Sequence, residues 1–325
     1  MNMFRKALAV TLLFLTIIGG VGARENEKQG YPERFMRLDE LAKDQMCLLT
    51  PVATYVNPSN GQQVALIGAI HVAEQEYYVR LNQLFTDYDV VLFEMIGGEK
   101  LRRTEELRRR IDRSKPLWGL SLDEFKEWKL LEEEQKRYDQ EEKSIFMKLL
   151  GVAYGQLSKS LGIQTQHQGI DYSADNFVHA DMTMVEFERE QDKKGENFVG
   201  LILKSILSSL VEKPQKRLPN EVGMAIDFLI GNKVSLKNKL MVVLAYAPNY
   251  LDDTVILEGR NSKCMEVFDS WRNKDVKKIG IFYGAAHLPG LHTSLLERGY
   301  SFDSVYWLPA WSTKEKSDDC GSEED

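Results

Sequence analysis

The sequence predicts an α/β fold: a central mixed sheet built from βαβ-type units, with glycine–histidine corners at strand ends and a large, mostly helical insertion. Three observations predict it. The apolar runs VALIGAI (Val64–Ile70) and IGIFYG (Ile279–Gly284) lack polar alternation, which suits strands buried on both faces. A segment of helical spacing follows the first run, and the short run DVVLF (Asp89–Phe93) follows that, completing a βαβ unit. From about residue 99 to 250, charged segments carry apolar residues at helical spacing.

The elements follow in order. MNMFRK is basic, ALAVTLLFLTII is apolar and GGVGA is small, so residues 1–23 read as a secretory signal cleaved after Ala23. The apolar run is shorter than the roughly 20 residues of a membrane-spanning helix. An uncleaved N-terminal anchor is the alternative. The expected location is extracytoplasmic, secreted or periplasmic, with no integral membrane domain after cleavage. The full chain is 43% hydrophobic and 28% charged, an ordinary globular composition, and residues 24–313 are expected to form a single domain. PERFMRLDELAKDQ reads as a short helix. CLLTPVATYV and QQVALIGAI form a β-hairpin about the turn VNPSNG. HVAEQEYYVRLNQLFTDY reads as a helix, with Val72, Tyr78, Leu81, Leu84 and Phe85 at helical spacing.

Within the insertion, Ser121 of SLDEF reads as a helix N-cap, and RRTEELRRR as a charged solvent face because acids interleave it. GIQTQHQGIDY reads as a strand ending at Asp171, with His167 inside it. ADMTMVEFEREQDK, ENFVGLILKSILSSLVEK, NEVGMAIDFLI and KNKLMVVLAYAP read as helices. After the strand VKKIGIFYGAAH come a helix, LPGLHTSLLERGY, which holds His292, and a last strand, SFDSVYWLPAW. Residues 314–325 read as a disordered acidic tail.

Charge and cysteine content exclude some functions. The net charge is −7, and losing Arg5 and Lys6 with the leader takes it to about −9, a poor match for nucleic acid. Cys47, Cys264 and Cys320 show no CxxC spacing, so neither a zinc knuckle nor a thioredoxin motif is present. In an exported chain Cys47 and Cys264 are the expected pair, since Cys320 lies in the polar tail.

In an open α/β sheet, ligands collect where strands end and helices begin. His71 and His287 both fall at that junction, each three residues after a glycine, Gly68 and Gly284. The glycines let the backbone turn and keep side chains out of the approach. Glu94 ends the strand VVLFE and belongs to the same rim. Two imidazoles and a carboxylate suit a transition-metal site. The alternative is a pair of capping or core histidines, with Glu94 neutralising a nearby cation.

The pair GAIH…GAAH resembles the TraB/PrgY family, which shares this pattern with GumN-like proteins and Tiki proteases and more distantly with erythromycin esterases. The FE of VVLFEM, the RN of ILEGRNSKCMEVF and the block GAAHLPGLHTSLLERGY support the resemblance, which covers about Thr54 to Leu308. It implies His71 and His287 as ligands of a divalent metal, manganese or cobalt, and Glu94 as a further ligand or the general base. It places Arg260 against a polarised oxygen or a substrate carboxylate. The implied activity is a metal-dependent, peptidase-like hydrolase acting on a peptide or other small substrate. A binding protein that sequesters such a ligand without turnover is the alternative. Two departures stand out: Gly259 separates Glu258 from Arg260, where relatives often carry an acid next to Arg-Asn, and no C-terminal membrane segment of the PrgY kind is present.

In such a site a bound ion lowers the pKa of its water from about 15.7 toward 7. A carboxylate base is worth roughly 10²–10⁴-fold. His179, Asp171 and Tyr283 are further candidates for substrate contacts, with His179 also a possible third ligand. The alternative for His179 and Asp171 is capping of the next helix, and for Tyr283 a place in the core. His167 and His292 read as structural.

Overall fold

Structure is described for residues 35–42, 45–98, 121–126, 128–129, 155–195, 224, 227, 230–246 and 255–313 of a computed structural model. The expected leader, the helix ENFVGLILKSILSSLVEK, most of residues 99–150 and the acidic tail lie outside the described residues. Strand β1 (Arg37–Ala42) runs antiparallel to β2 (Gln45–Val56), with Arg37 opposite Leu49 and Asp39 opposite Cys47. This corrects the helix expected over PERFMRLDELAKDQ. Helix propensities differ by only a few tenths of a kcal/mol per residue. The neighbouring edge of β2, with burial of Phe35 and Met36, outweighs them.

The predicted hairpin is present. β2 turns at Asn57–Gly61 into β3 (Gln63–Ala69), where Gly61 donates its N–H to the Asn57 carbonyl at 2.8 Å. A two-residue strand β4 (Val72–Ala73) follows, then α1 (Gln75–Phe85) and β5 (Val90–Phe93). The helix starts later than its spacing suggested because β4 pairs with β6 (Gln164–Thr165). From β6 the chain enters a short helix, α2 (Gln166–Gly169), so the strand expected to run to Asp171 is cut to two residues. The Thr165–Gln168 capping box starts that turn, and His167 lies in it.

Next come β7 (Phe177–His179), α3 (Met184–Lys194) behind a Thr183 capping box, and α4 (Lys233–Tyr246). A π-helical turn, Val255–Gly259, leads into α5 (Arg260–Arg272). β8 (Lys278–Gly284), a 3₁₀ turn (Ala285–His287), α6 (Leu288–Glu297) and β9 (Ser301–Ser312) complete the described chain. Ser121 is an N-cap as predicted, accepting from the Glu124 N–H at 3.3 Å while Glu124 reaches back to the Ser121 N–H at 2.7 Å.

The large sheet has the order β1-β2-β3-β8-β5-β7, with β9 also on β2. β3, β8, β5 and β7 are parallel, while β1, β2 and β9 join antiparallel, so the sheet is mixed and the fold α/β. Strands β3 and β8 are buried on both faces beyond their first residue, as non-alternating apolar runs require. Burying each such Val, Leu, Ile or Phe is worth about 1.5–3 kcal/mol. The β3–α1–β5 crossover leaves one strand position between its strands, and β8 fills it. Ala69 therefore lies opposite Gly284, and the two glycine–histidine corners are side by side. No helix among the described residues is long and apolar enough to cross a membrane.

The expected Cys47–Cys264 disulfide does not form. Cys264 is a buried free thiol, and Cys47 is disulfide-bonded to another residue. Cys47 is in register with Asp39 of β1 and Ser312 of β9, whereas Cys264 on α5 lies beside Tyr283 of β8. Strand β3 lies between β2 and β8, so the two cysteines belong to different parts of the fold.

Candidate functional site

All four parallel strands end at one rim, and the site is assembled there. His71 lies two residues past β3, in irregular backbone that must find partners when buried. Side chains supply them. Tyr77 donates to the Gly68 carbonyl at 2.7 Å, Tyr78 to Ile70 at 3.0 Å, and the Trp311 indole to Val72 at 2.6 Å. The Gln166 N–H donates to the His71 carbonyl at 2.8 Å. The apolar stripe of α1 thus also holds the corner in shape.

The two corner glycines serve space rather than unusual backbone angles. A Cβ on Gly68 would stand 2.9 Å from Pro51 Cδ on the neighbouring strand, so this glycine is a packing residue. A Cβ on Gly284 would stand 3.1 Å from Glu94 Oε2, 3.6 Å from His287 Cδ2 and 3.9 Å from His71 Nε2. Those three side chains converge on the point that Gly284 leaves open.

Glu94 follows β5 and is buried. Its Oε2 accepts the Gly284 N–H at 2.5 Å, and its Oε1 accepts from Arg260 Nη2 at 2.5 Å. Arg260, the first residue of α5, also donates from Nε and Nη2 to Asp181, at 3.0 and 2.6 Å. Its Nη1 is 3.4 Å from His287 Nε2. Most of the guanidinium fork is therefore occupied by protein carboxylates, and Nη1 is the part turned toward the histidine.

Burial alone would raise the Glu94 carboxyl, but Arg260, His287 and His71 outweigh it and hold the group well below its usual range. Burial likewise disfavours the Arg260 charge, and Asp181 with Glu94 more than compensates. Burial lowers the His71 imidazole against the opposing pull of Glu94. Two carboxylates face one guanidinium, an excess of buried negative charge that a cation would offset.

Both histidines are oriented through Nδ1. His71 Nδ1 meets Gln166 Oε1 at 2.9 Å, and His287 Nδ1 meets Asn261 Oδ1 at 2.8 Å. With Nδ1–H donating, Nε2 is the acceptor nitrogen on each ring. Metal-ligating histidines are commonly oriented in this way. His287 Nε2 and Glu94 Oε1 are 3.5 Å apart, close to the roughly 3.4 Å between two tetrahedral ligands with bonds of about 2.1 Å. This donor chemistry fits a divalent ion held by His71, His287 and Glu94. Among the described residues, however, no group of three or more His, Cys, Asp or Glu side chains stands together in metal-holding geometry.

Of the residues singled out in the sequence, His71, Glu94, Arg260 and His287 meet here. Tyr283 packs its ring 5.2 Å from that of His287, but its hydroxyl donates to the Ala180 carbonyl. His179 ends β7 beside the rim and places Nε2 2.7 Å from the Met95 carbonyl, bracing the segment after Glu94. Asp171 is exposed and caps its own turn, accepting the Ser173 N–H at 3.0 Å. Glu258 bridges outward to Lys194 at 2.7 Å. The hollow lined by Asp87, Tyr88, Lys278 and Tyr306 lies at the opposite ends of β3 and β8, away from the site.

Asp181, Asn261 and Gln166 were not singled out in the sequence. Asp181 carried a signal, an acid just past a strand as Glu94 is. Asn261 stood in the Arg-Asn pair. Gln166 offered none. No family model matches the chain, and no curated protein matches it in sequence.

Proposed function

We propose that the chain is an exported, metal-dependent hydrolase of the TraB/GumN type, with peptidase-like chemistry on a peptide or other small carbonyl substrate. One observation carries the proposal: His71 Nε2, the His287 ring and the Glu94 carboxylate converge over Gly284, and an amide oxygen sits at Nδ1 of each ring. A divalent ion held there, manganese or cobalt by the resemblance, would activate water and polarise the scissile carbonyl. The protein's part is to present two Nε2 acceptors and an anionic carboxylate. Glu94, kept anionic beside the Arg260 guanidinium, would serve there as a ligand or as the base that takes the water proton. Arg260 keeps that carboxylate charged and turns Nη1 toward the reacting side. The disulfide at Cys47 agrees with an oxidising, extracytoplasmic compartment.

The second reading is a binding protein without turnover, favoured by how completely Glu94 and Arg260 satisfy each other and Asp181. Incubating purified protein with a peptide library, with and without Mn²⁺ or Co²⁺, separates the two. Products that disappear with EDTA support the hydrolase. Retained peptides with no product overturn it in favour of the binding protein.

A further inference from the structure

We infer that Asn261 is a positioning residue that locks His287 in the Nδ1–H tautomer. The inference rests on the proposed site only for its use, because the lock is a property of the chain without metal or substrate. The Asn261 amide orientation follows from its second contact. Its Nδ2 lies 3.2 Å from the backbone carbonyl oxygen of His287, a group that only accepts. The atom there must be the NH₂, which puts the carbonyl Oδ1 at His287 Nδ1, 2.8 Å away. An amide oxygen also only accepts, so Nδ1 bears a hydrogen, and in the neutral ring Nε2 bears the lone pair. That lone pair lies on the Glu94 side, 3.5 Å from Oε1, and within 3.4 Å of Arg260 Nη1.

The fold makes room for this clasp. Asn261 is the second residue of α5 and reaches across to α6 over Gly290, where an added Cβ would stand 2.5 Å from Asn261 Nδ2. The same device recurs at the other corner, where Gln166 holds the His71 carbonyl with its N–H and meets Nδ1 with Oε1, while its Nε2 donates to the Tyr172 hydroxyl at 2.9 Å. One amide residue thus grips each site histidine at both backbone carbonyl and ring. Free imidazole side chains prefer the Nε2–H form, so the clasp reverses the default.

Nitrogen-15 NMR of histidine-labelled, EDTA-treated protein, at a pH where imidazoles are neutral, reads the tautomer directly. His287→Gln identifies the resonance among the five histidines. A protonated, pyrrole-type Nδ1 and a pyridine-type Nε2 are expected for His287. Asn261→Asp, which keeps an acceptor, should retain that pattern. Asn261→Leu should lose it to the Nε2–H form, and so should Gly290→Ala, which displaces the amide while leaving every polar group in place. An Nε2–H His287 in the unaltered protein, or a pattern indifferent to both Asn261→Leu and Gly290→Ala, overturns the inference. Because the spectra need neither metal nor substrate, failure of the cleavage assay bears on the hydrolase reading alone.

Discussion

Asp181 shares one nitrogen of Arg260 with Glu94: its Oδ2 is 2.6 Å from the same Nη2 that lies 2.5 Å from Glu94 Oε1. The aspartate is almost fully buried and also accepts the Met182 N–H at 2.7 Å. With Glu94 it offsets the burial of the Arg260 charge. Asp181→Asn leaves Arg260 paired with Glu94 but takes the charge from the acceptor of its other hydrogen bonds, and a bond to a charged group is worth about 1.5–3 kcal/mol. The substitution should therefore lower unfolding free energy by about 1.5–3 kcal/mol in urea titrations at neutral pH. A loss under about 1 kcal/mol, the range of surface pairs, would show that Arg260 does not depend on it.

The two corner glycines should separate in their effects. Gly284→Ala places a methyl 3.1 Å from Glu94 Oε2, a contact relieved by a shift of the carboxylate of a few tenths of an ångström. A misplacement of about 1 Å costs on the order of 10²-fold in turnover, so this smaller shift should cost roughly tenfold. Gly68→Ala meets Pro51 instead and should cost about 1–3 kcal/mol in stability with turnover per folded molecule retained. Equal loss of turnover in both variants would contradict the assignment of Gly68 to packing.

His71 and His287 should behave as one unit. If both serve the same reaction step, His71→Ala and His287→Ala each abolish turnover and lower bound metal, and the double variant is little worse than either. His167→Ala, in the exposed turn of α2, is the control. Independent, multiplying losses measured by steady-state kinetics would argue against a shared centre.

His292 supplies a pH dependence away from the site. Its ring takes the Tyr55 hydroxyl at 2.8 Å, and burial lowers its pKa from 6.5 to about 4. The unfolded chain binds this proton near pH 6.5 and the folded chain only near pH 4, so stability falls as pH drops through that window. His292→Gln should flatten the decline in urea-midpoint measurements. Identical pH slopes for the two proteins would exclude the linkage.

Much of the fold was legible because its signals are local. Val64–Ile70 and Ile279–Gly284 announce two-sided burial through unbroken apolar runs, and the hairpin turn is written in VNPSNG. Parallel strands collect ligands at their carboxyl ends, so the sequence assigns Glu94, His71 and His287 to one rim. Where the reading failed, a distant partner decided. RLDELA has helix-forming residues yet becomes a strand because β2 presents an edge to it. GIQTQHQGIDY has strand-like ends, but pairing stops after Thr165 because β4, its partner, is only two residues long.

The sequence by itself determined the α/β class, the glycine–histidine corners and the acid at the end of β5, since each depends on side-chain periodicity or on residues within one turn of each other. Only the tertiary structure decided that Asp181 shares Arg260 with Glu94, that Asn261 and Gln166 clasp the two histidines, and that Cys264 stays a free thiol. Those are contacts between residues up to 166 positions apart in the case of Glu94 and Arg260. Amides and acids are common in loops for many reasons, and their role follows from which backbone carbonyl or ring nitrogen the packed sheet brings within 3 Å.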